Sequence, residues 1–249
     1  MTDPIDLDPL LTPAEYLAHR RALGQLPEFP VPRAVIFAPQ KSLAAALLRR
    51  HAARPLRGFL GEFHLFKKMD LALSTGFGVG APAIAALTDE FTALGVRQFA
   101  LVGMAGGLQP ALVTGSLVVA THALREEGVS RHYLPPGPQV ACDPTLTEGL
   151  SQALTRRKHA HHLGPVWTTD APFRELRREV LARQGQGVLA VEMEAAAMLA
   201  VARAYQRPAV AAFVIADSLH TGRWQPSAGL HLVQAGLEHL GAALIEALA

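Results

Sequence analysis

Residues 69–102 read MDLALSTGFGVGAPAIAALTDEFTALGVRQFALV, two apolar runs separated by a glycine-rich turn and a periodic segment. Met69–Thr75 and Gln98–Val102 are rich in aliphatic residues and lack polar alternation, as strands covered on both faces do. Between them Ile84, Leu87, Phe91 and Leu94 fall at helical spacing, with Asp89 and Glu90 predicted to turn outward and Gly95 as the stop signal. Strand, turn, helix and strand form one crossover unit, and that unit sets the class as α/β.

Similar runs recur at Ala34–Ala38, Ser116–Thr121, Gly164–Thr168 and Ala209–Ala216. The tract Ser116–Tyr133 has no helical period, so some strands are joined without a helix and a mixed sheet is expected. Leu230, Val233, Leu237, Leu240 and Leu244 share one face of an amphipathic helix predicted over Ala228–Leu248. Pro4, Pro9, Pro13, Pro27 and Pro30 predict an extended N-terminal arm with a short helix around Ala14–Leu23. The expected organisation is an arm over 1–30 followed by one domain over 31–249. Pro135-Pro136-Gly137-Pro138 reads as a surface turn beside the site or an edge connection.

Half of the 249 residues are hydrophobic and 18% are charged, which suffices for one large core and excludes disorder. A formal net charge of +2 with no long basic block argues against nucleic acid, and Arg156-Arg157-Lys158 reads as a solvated helix end. Cys142 stands alone, so it forms no internal disulfide or zinc cluster, as expected in a reducing compartment. Met1–Asp8 is acidic and proline-broken where an export signal needs positive charge and an apolar run. The most apolar stretch, Ala209–Ala216, is far shorter than the roughly 20 residues of a membrane span. A cytoplasmic protein without membrane or nucleic-acid partners is expected.

Several motifs carry chemistry. Gly76, Gly78 and Ala81 satisfy the G-x-G-x-x-G/A pattern of a pyrophosphate loop, but the next strand ends Leu101-Val102-Gly103-Met104 without the acid that a dinucleotide ribose needs. The same glycines also suit a tight turn that packs strand against helix. A second cluster, Gly103-Met104-Ala105-Gly106-Gly107, follows another strand; ligands in α/β sheets bind at such carboxyl ends. Glu192 and Glu194 open a helix that is apolar nearly all round, where one can cap and one can face a ligand. Asp217 ends the most apolar strand as either a cap or a general acid, because a carboxyl in low-dielectric surroundings keeps its proton nearer neutral pH. His159, His161 and His162 lack carboxylate or Cys support and read as a solvated helix end, so no metal site is expected. The absence of G-x-S-x-G, Walker and H-E-x-x-H motifs removes common hydrolase, NTPase and metalloprotease classes.

In order, Gly76-Phe77-Gly78-Val79-Gly80, Gly103–Pro110, Thr169-Asp170-Ala171-Pro172-Phe173, Val191-Glu192-Met193-Glu194-Ala195 and Ile215-Ala216-Asp217-Ser218 resemble the nucleoside phosphorylase family. That family includes hexameric-type purine nucleoside phosphorylases, uridine phosphorylases and methylthioadenosine nucleosidases. Glu127–Pro135 is similar to a segment of its uridine phosphorylase-like members. The resemblance implies a three-layer α/β/α sandwich around a mixed, partly closed sheet, and N-glycosidic cleavage of a nucleoside, purine rather than pyrimidine. It implies that Glu194 holds the ribose hydroxyls, Met193 packs on the sugar, and Asp217 protonates the purine at N7. Phe173 or Pro172 would line the base pocket, with Gly106 bordering the base. Arg57 would reach a phosphate in a neighbouring subunit, which implies a homodimer or homohexamer. No cofactor is implied, with orthophosphate as co-substrate.

This chain departs from the family at the nucleophile. A glycine and an arginine after the first strand, an arginine before the second glycine cluster and a Ser/Thr beyond it are replaced by Gln40, Ala44, Leu101 and Met104. The water-activating glutamate of the nucleosidases is missing from Ala38–Ser42. Lys41, Arg57, Arg125 and Arg131 remain as cations that could rebuild the site, and weak phosphate affinity is expected, with hydrolysis or a non-catalytic nucleoside-binding role as alternatives.

Overall fold

A computed structural model of the chain describes residues 9–226 and 229–249. Met1–Asp8, including Pro4, and Ala228 lie outside the described residues. The crossover unit is β4 (Leu71–Thr75), α3 (Ala81–Leu94) and β5 (Gln98–Gly107), and α3 ends on Gly95 in the left-handed region, φ +106°. Before it come α1 (Pro13–Ala22), β1 (Ala34–Ala38), α2 (Lys41–Arg50), β2 (Ala53–Leu56) and β3 (Glu62–Phe66). After it come β6 (Leu117–Glu126), β7 (Gln139–Ala141), α4 (Pro144–Arg156), β8 (His161–Thr169) and α5 (Arg177–Gly185). The chain closes with β9 (Ala190–Glu192), α6 (Ala195–Ala204), β10 (Ala209–Ser218) and α7 (Leu230–Leu248).

The strands make one mixed sheet in the order β10-β6-β8-β9-β5-β1-β4-β3-β2, and β10 pairs a second time, with β5. That extra pairing closes β10, β6, β8, β9 and β5 into a ring and leaves β1, β4, β3 and β2 as an open wing. Through the middle β4, β1, β5 and β10 run parallel, while β6 meets β10 antiparallel. Alternate residues serve opposite faces. Val35, Phe37, Phe99, Leu101 and Phe213 pack into the core that includes α3 and α6. Ile36, Leu73, Val102, Ala212 and Val214 pack into the core that includes α2, α4 and α7. Helices on both faces explain why these strands read as unbroken apolar runs.

The N-terminal segment begins with a Thr12–Glu15 capping box on α1, and Leu17 and Leu26 are buried. Three expectations are corrected. Asp89 and Glu90 are half-buried rather than turned outward, because Tyr133 and Tyr205 reach Asp89 and α1, with Arg20, packs on α3 near Glu90; the Tyr133 hydroxyl donates to Asp89 and burial raises both carboxyls. Leu230 is exposed instead of sharing the buried stripe of α7. Strand β8 starts at His161, so His161 and His162 belong to it and not to a helix end.

Candidate active site

The parallel strands β1, β4, β5 and β10 end on the same side, and a cavity of about 730 Å³ lies over those ends. Its walls bring together Gly106, Phe173, Met193, Glu194 and Asp217 from the second glycine cluster, the loop after β8, the turn into α6 and the end of β10. Pro172 lies beside Phe173, which stands at the mouth with 97% of its surface exposed. Arg57 follows the edge strand β2, is exposed, and does not line this cavity.

Glycines build the loop between β4 and α3. Gly76, Gly78 and Gly80 have φ of +64°, +93° and +95°, a conformation that a side chain strains. Gly80 then caps α3, and its N–H donates to Glu194 Oε1 at 2.5 Å. The anion seat at a helix N-terminus is thereby occupied by a carboxylate of the chain itself, which disfavours a pyrophosphate there. The two glutamates divide their work. Glu192, at the end of β9, accepts from the Glu194 and Ala195 N–H groups at 2.7 Å and from the Thr168 hydroxyl, so it caps α6. Glu194 precedes the helix, is only 7% exposed, and bonds to the Gly80 loop, and both glutamates line the cavity.

Among the described residues Asp217 caps no helix. After β10 the chain doubles back: Ser218 and Gln225 exchange backbone hydrogen bonds, and the Trp224 indole N–H donates to Asp217 Oδ2 at 2.6 Å. Gly106 leaves room for this carboxylate. A methyl group there would lie 2.6 Å from Leu219 Cδ1, 3.0 Å from Asp217 Oδ1 and 3.2 Å from Val191 Cγ1. Gly106→Ala is therefore expected to displace Asp217 and lower kcat/KM on the order of 10²-fold, with a stability loss of about 1–3 kcal/mol. Steady-state kinetics beside urea denaturation checks both.

Sequence reasoning missed Glu175, Arg177, Arg223 and Trp224, all of which line the cavity. They sit in the loop after β8, at the start of α5 and in the loop after β10, where no periodicity marks them. The available signal was position, since loops at the carboxyl ends of strands carry function. At the opposite end, over β1 and β4, the lining is Pro39, Gln40 and Val79, joined by Met104 of β5, with no cation among the described residues there. Leu101 is sealed in the core and Ala44 is buried in α2. Arg125 is spent on Ser130 Oγ and the carbonyls of Leu134 and Pro135. Lys41 comes nearer than expected: its Cε lies 3.1 Å from where a Gly76 Cβ would be, but it pairs with Glu62 at 3.7 Å.

Burial dominates the three glutamates of this cavity. It raises Glu194, pushes Glu175 up to about 7 with help from the Asp217 charge, and pushes Glu192 up to about 8 with help from Glu194. Each group binds its proton more tightly folded than unfolded, so its contribution is fully present below the unfolded value and lost as pH rises through the folded one. The thermal midpoint of the free protein should fall as pH rises from about 5 to about 9, and Glu175→Gln should flatten the neutral part. Scanning calorimetry across that range checks the slope.

The family model described as the phosphorylase superfamily matches residues 36–246. A guanosine phosphorylase of Halorubrum lacusprofundi is 37% identical over 127 residues, 51% of this chain and 52% of that protein. A uridine phosphorylase of Treponema pallidum is 38% identical over 93 residues, 37% of this chain and 36% of that protein. A DeoD-type purine nucleoside phosphorylase of Myxococcus xanthus is 32% identical over 175 residues, 69% of this chain and 71% of that protein. The chain thus spans about half the length of the guanosine phosphorylase and about a third of the uridine phosphorylase. The solved uridine phosphorylase of Vibrio fischeri superposes with a TM-score of 0.76 over 88% of this chain and 92% of that one, at 20% identity, and shares the fold. No helix among the described residues is long and apolar enough to cross a membrane. With its mixed sheet, its ring of five strands and a family match that covers most of its length, the chain belongs to the phosphorylase superfamily.

Proposed function

We propose that this protein cleaves the N-glycosidic bond of a nucleoside, transferring the pentosyl group to phosphate. The observation that carries the reading is the pair of carboxylates from different elements, Glu194 and Asp217, on one cavity wall system with Met193 and Gly106 between glycine-rich turns. Cleavage builds positive charge on the sugar and negative charge on the base, so a hydroxyl clamp and a proton donor both act on the transition state. Glu194 and Met193 hold the ribose, Phe173 and Gly106 border the base, and Asp217 protonates it. A purine is the preferred base, because N7 offers Asp217 a proton acceptor.

The protein works in the cytoplasm as a homodimer or homohexamer, in which Arg57 of one copy serves the phosphate of another. A stable monomer in light scattering at micromolar concentration contradicts this assembly. Thermal-shift screening tests the ligand class: a nucleoside at 100-fold excess over its Kd stabilises by about 2.7 kcal/mol. Adenosine, inosine or guanosine should raise the midpoint, and stabilisation by NAD alone overturns the reading.

Hydrolysis is a second reading with its own observation. Among the described residues the side-chain oxygen of Gln40 is buried without a hydrogen-bond partner, at the cavity end where no cation of those residues lines the wall. An orphan acceptor there suits a water molecule better than a phosphate, which needs several charge-assisted donors in a dry pocket.

A further inference from the structure

A second cleft, of about 510 Å³, opens at the amino end of β10, the far end of that strand from Asp217. Its walls come from the chain entering α4, the last turn of α6 and the turn that leads from α6 into β10. Two cations line it. Arg203, in the last turn of α6, is exposed, and Arg207, in the turn that follows, is half-buried. Neither guanidinium has a hydrogen bond or an ion pair among the described residues, and Arg207 Nε is buried with no acceptor.

An arginine near a helix C-terminus is usually explained by the helix dipole. That account fits Arg203. It does not fit Arg207, which lies beyond the helix and closes the turn through its backbone N–H, donated to the Ala202 carbonyl at 2.7 Å, and not through its side chain. A charged donor buried without an acceptor is costly, and an acceptor brought by a ligand removes that cost. The cleft's own acid is already engaged. Asp143 is the one carboxylate on the wall among the described residues, and its Oδ1 accepts the Leu146 N–H at 2.9 Å as the cap of α4. Cys142 lines the same wall, and burial pushes its thiol up to about 12, so it carries no charge at neutral pH.

We infer that this cleft is a second ligand site, in which Arg203 and Arg207 hold a phosphoryl dianion, either free phosphate or a phosphomonoester. Two guanidiniums carry the charge that balances a dianion, and each presents a planar fork of donors that fits phosphate oxygens bidentately. The Nε of Arg207 is already out of water, so binding there replaces no solvent contact of that atom. Space remains beyond the anion, because Pro144, Leu199 and Pro208 give the cleft an apolar side for the carbon body of a small ester. The site is independent of the proposed cleavage, since none of its residues lines the nucleoside cavity.

The test is calorimetric titration of inorganic phosphate and of ribose 5-phosphate into the full-length protein at about 0.15 M ionic strength, where exposed charges are screened and buried donors much less so. Both probes should bind. Arg203→Ala and Arg207→Ala should each weaken that binding roughly 10- to 10²-fold, the usual worth of a charge-assisted hydrogen bond. Arg207→Lys keeps the charge without the fork and should recover only part of the affinity. Tighter binding of ribose 5-phosphate identifies the ester as the ligand, and equal or tighter binding of phosphate identifies the free anion. Arg203 is exposed, so Arg203→Ala decides the matter even where Arg207→Ala fails to fold. Binding of the probes that these substitutions leave intact places the anion elsewhere, and no binding at this ionic strength leaves two solvated arginines; either result overturns the inference.

Discussion

Replacing Glu194 by alanine should lower kcat/KM for ribonucleosides by roughly 10²–10⁴-fold. The size follows from two hydrogen bonds between a carboxylate and the ribose hydroxyls, each worth about 1.5–3 kcal/mol when one partner is charged. The site is dry enough for them to count, since Glu194 is almost fully buried. The same substitution also strands the Gly80 N–H, so a stability loss of about 1–3 kcal/mol is expected alongside. A 2′,3′-dideoxynucleoside separates the two effects, because it offers the clamp nothing to hold. Glu194→Ala should barely change the rate on that analogue, and Glu194→Gln, which keeps an acceptor for Gly80, should recover the stability before the activity. Equal losses on ribosides and dideoxynucleosides would make Glu194 a structural acceptor for the α3 loop and nothing more.

Asp217→Asn should reduce kcat by roughly 10²–10⁴-fold, the usual worth of a general acid, and leave nucleoside binding nearly unchanged. Asparagine fits the same space and its oxygen still accepts the Trp224 N–H, so the loop after β10 keeps its place. What it lacks is a proton to give. A nucleoside already alkylated at N7, such as 7-methylguanosine, leaves as a neutral base without that proton. On it the loss should shrink below about tenfold. An undiminished loss would mean that Asp217 binds the base and does not protonate it.

The parallel centre of the sheet was legible because helices cover both its faces. Ala34–Ala38 coincides with β1, and the helix marked by Ile84, Leu87, Phe91 and Gly95 is α3. The outer wing strands, β2 and β3, were not legible. Strand β2 contains Pro55 and is mostly exposed, and β3 gains its register from β4 and from stacking of Phe63 on Phe91, with centroids 4.7 Å apart, contacts that no local pattern announces. Strand β9 has only three residues, too few for any period. At the site, the acids Glu192, Glu194 and Asp217 stood out because charge is conspicuous in an apolar neighbourhood. Local spacing alone could not say which glutamate caps α6 and which reaches the Gly80 loop; the strand ending at Glu192 and the helix starting at Ala195 decide it. Glu175 and Trp224 come from loops whose course is set by tertiary folding, so their place in the cavity wall was invisible in the chain.

Glycosidic cleavage at a cavity with a weakened anion site is measured most directly by base release from a nucleoside panel, with and without phosphate. The account predicts release of free base from purine ribonucleosides, at a rate that does not saturate with sub-millimolar phosphate. Release that saturates in that range would contradict the reading of Gln40, Leu101 and Met104, and no release from any nucleoside under either condition would contradict glycosidic cleavage itself.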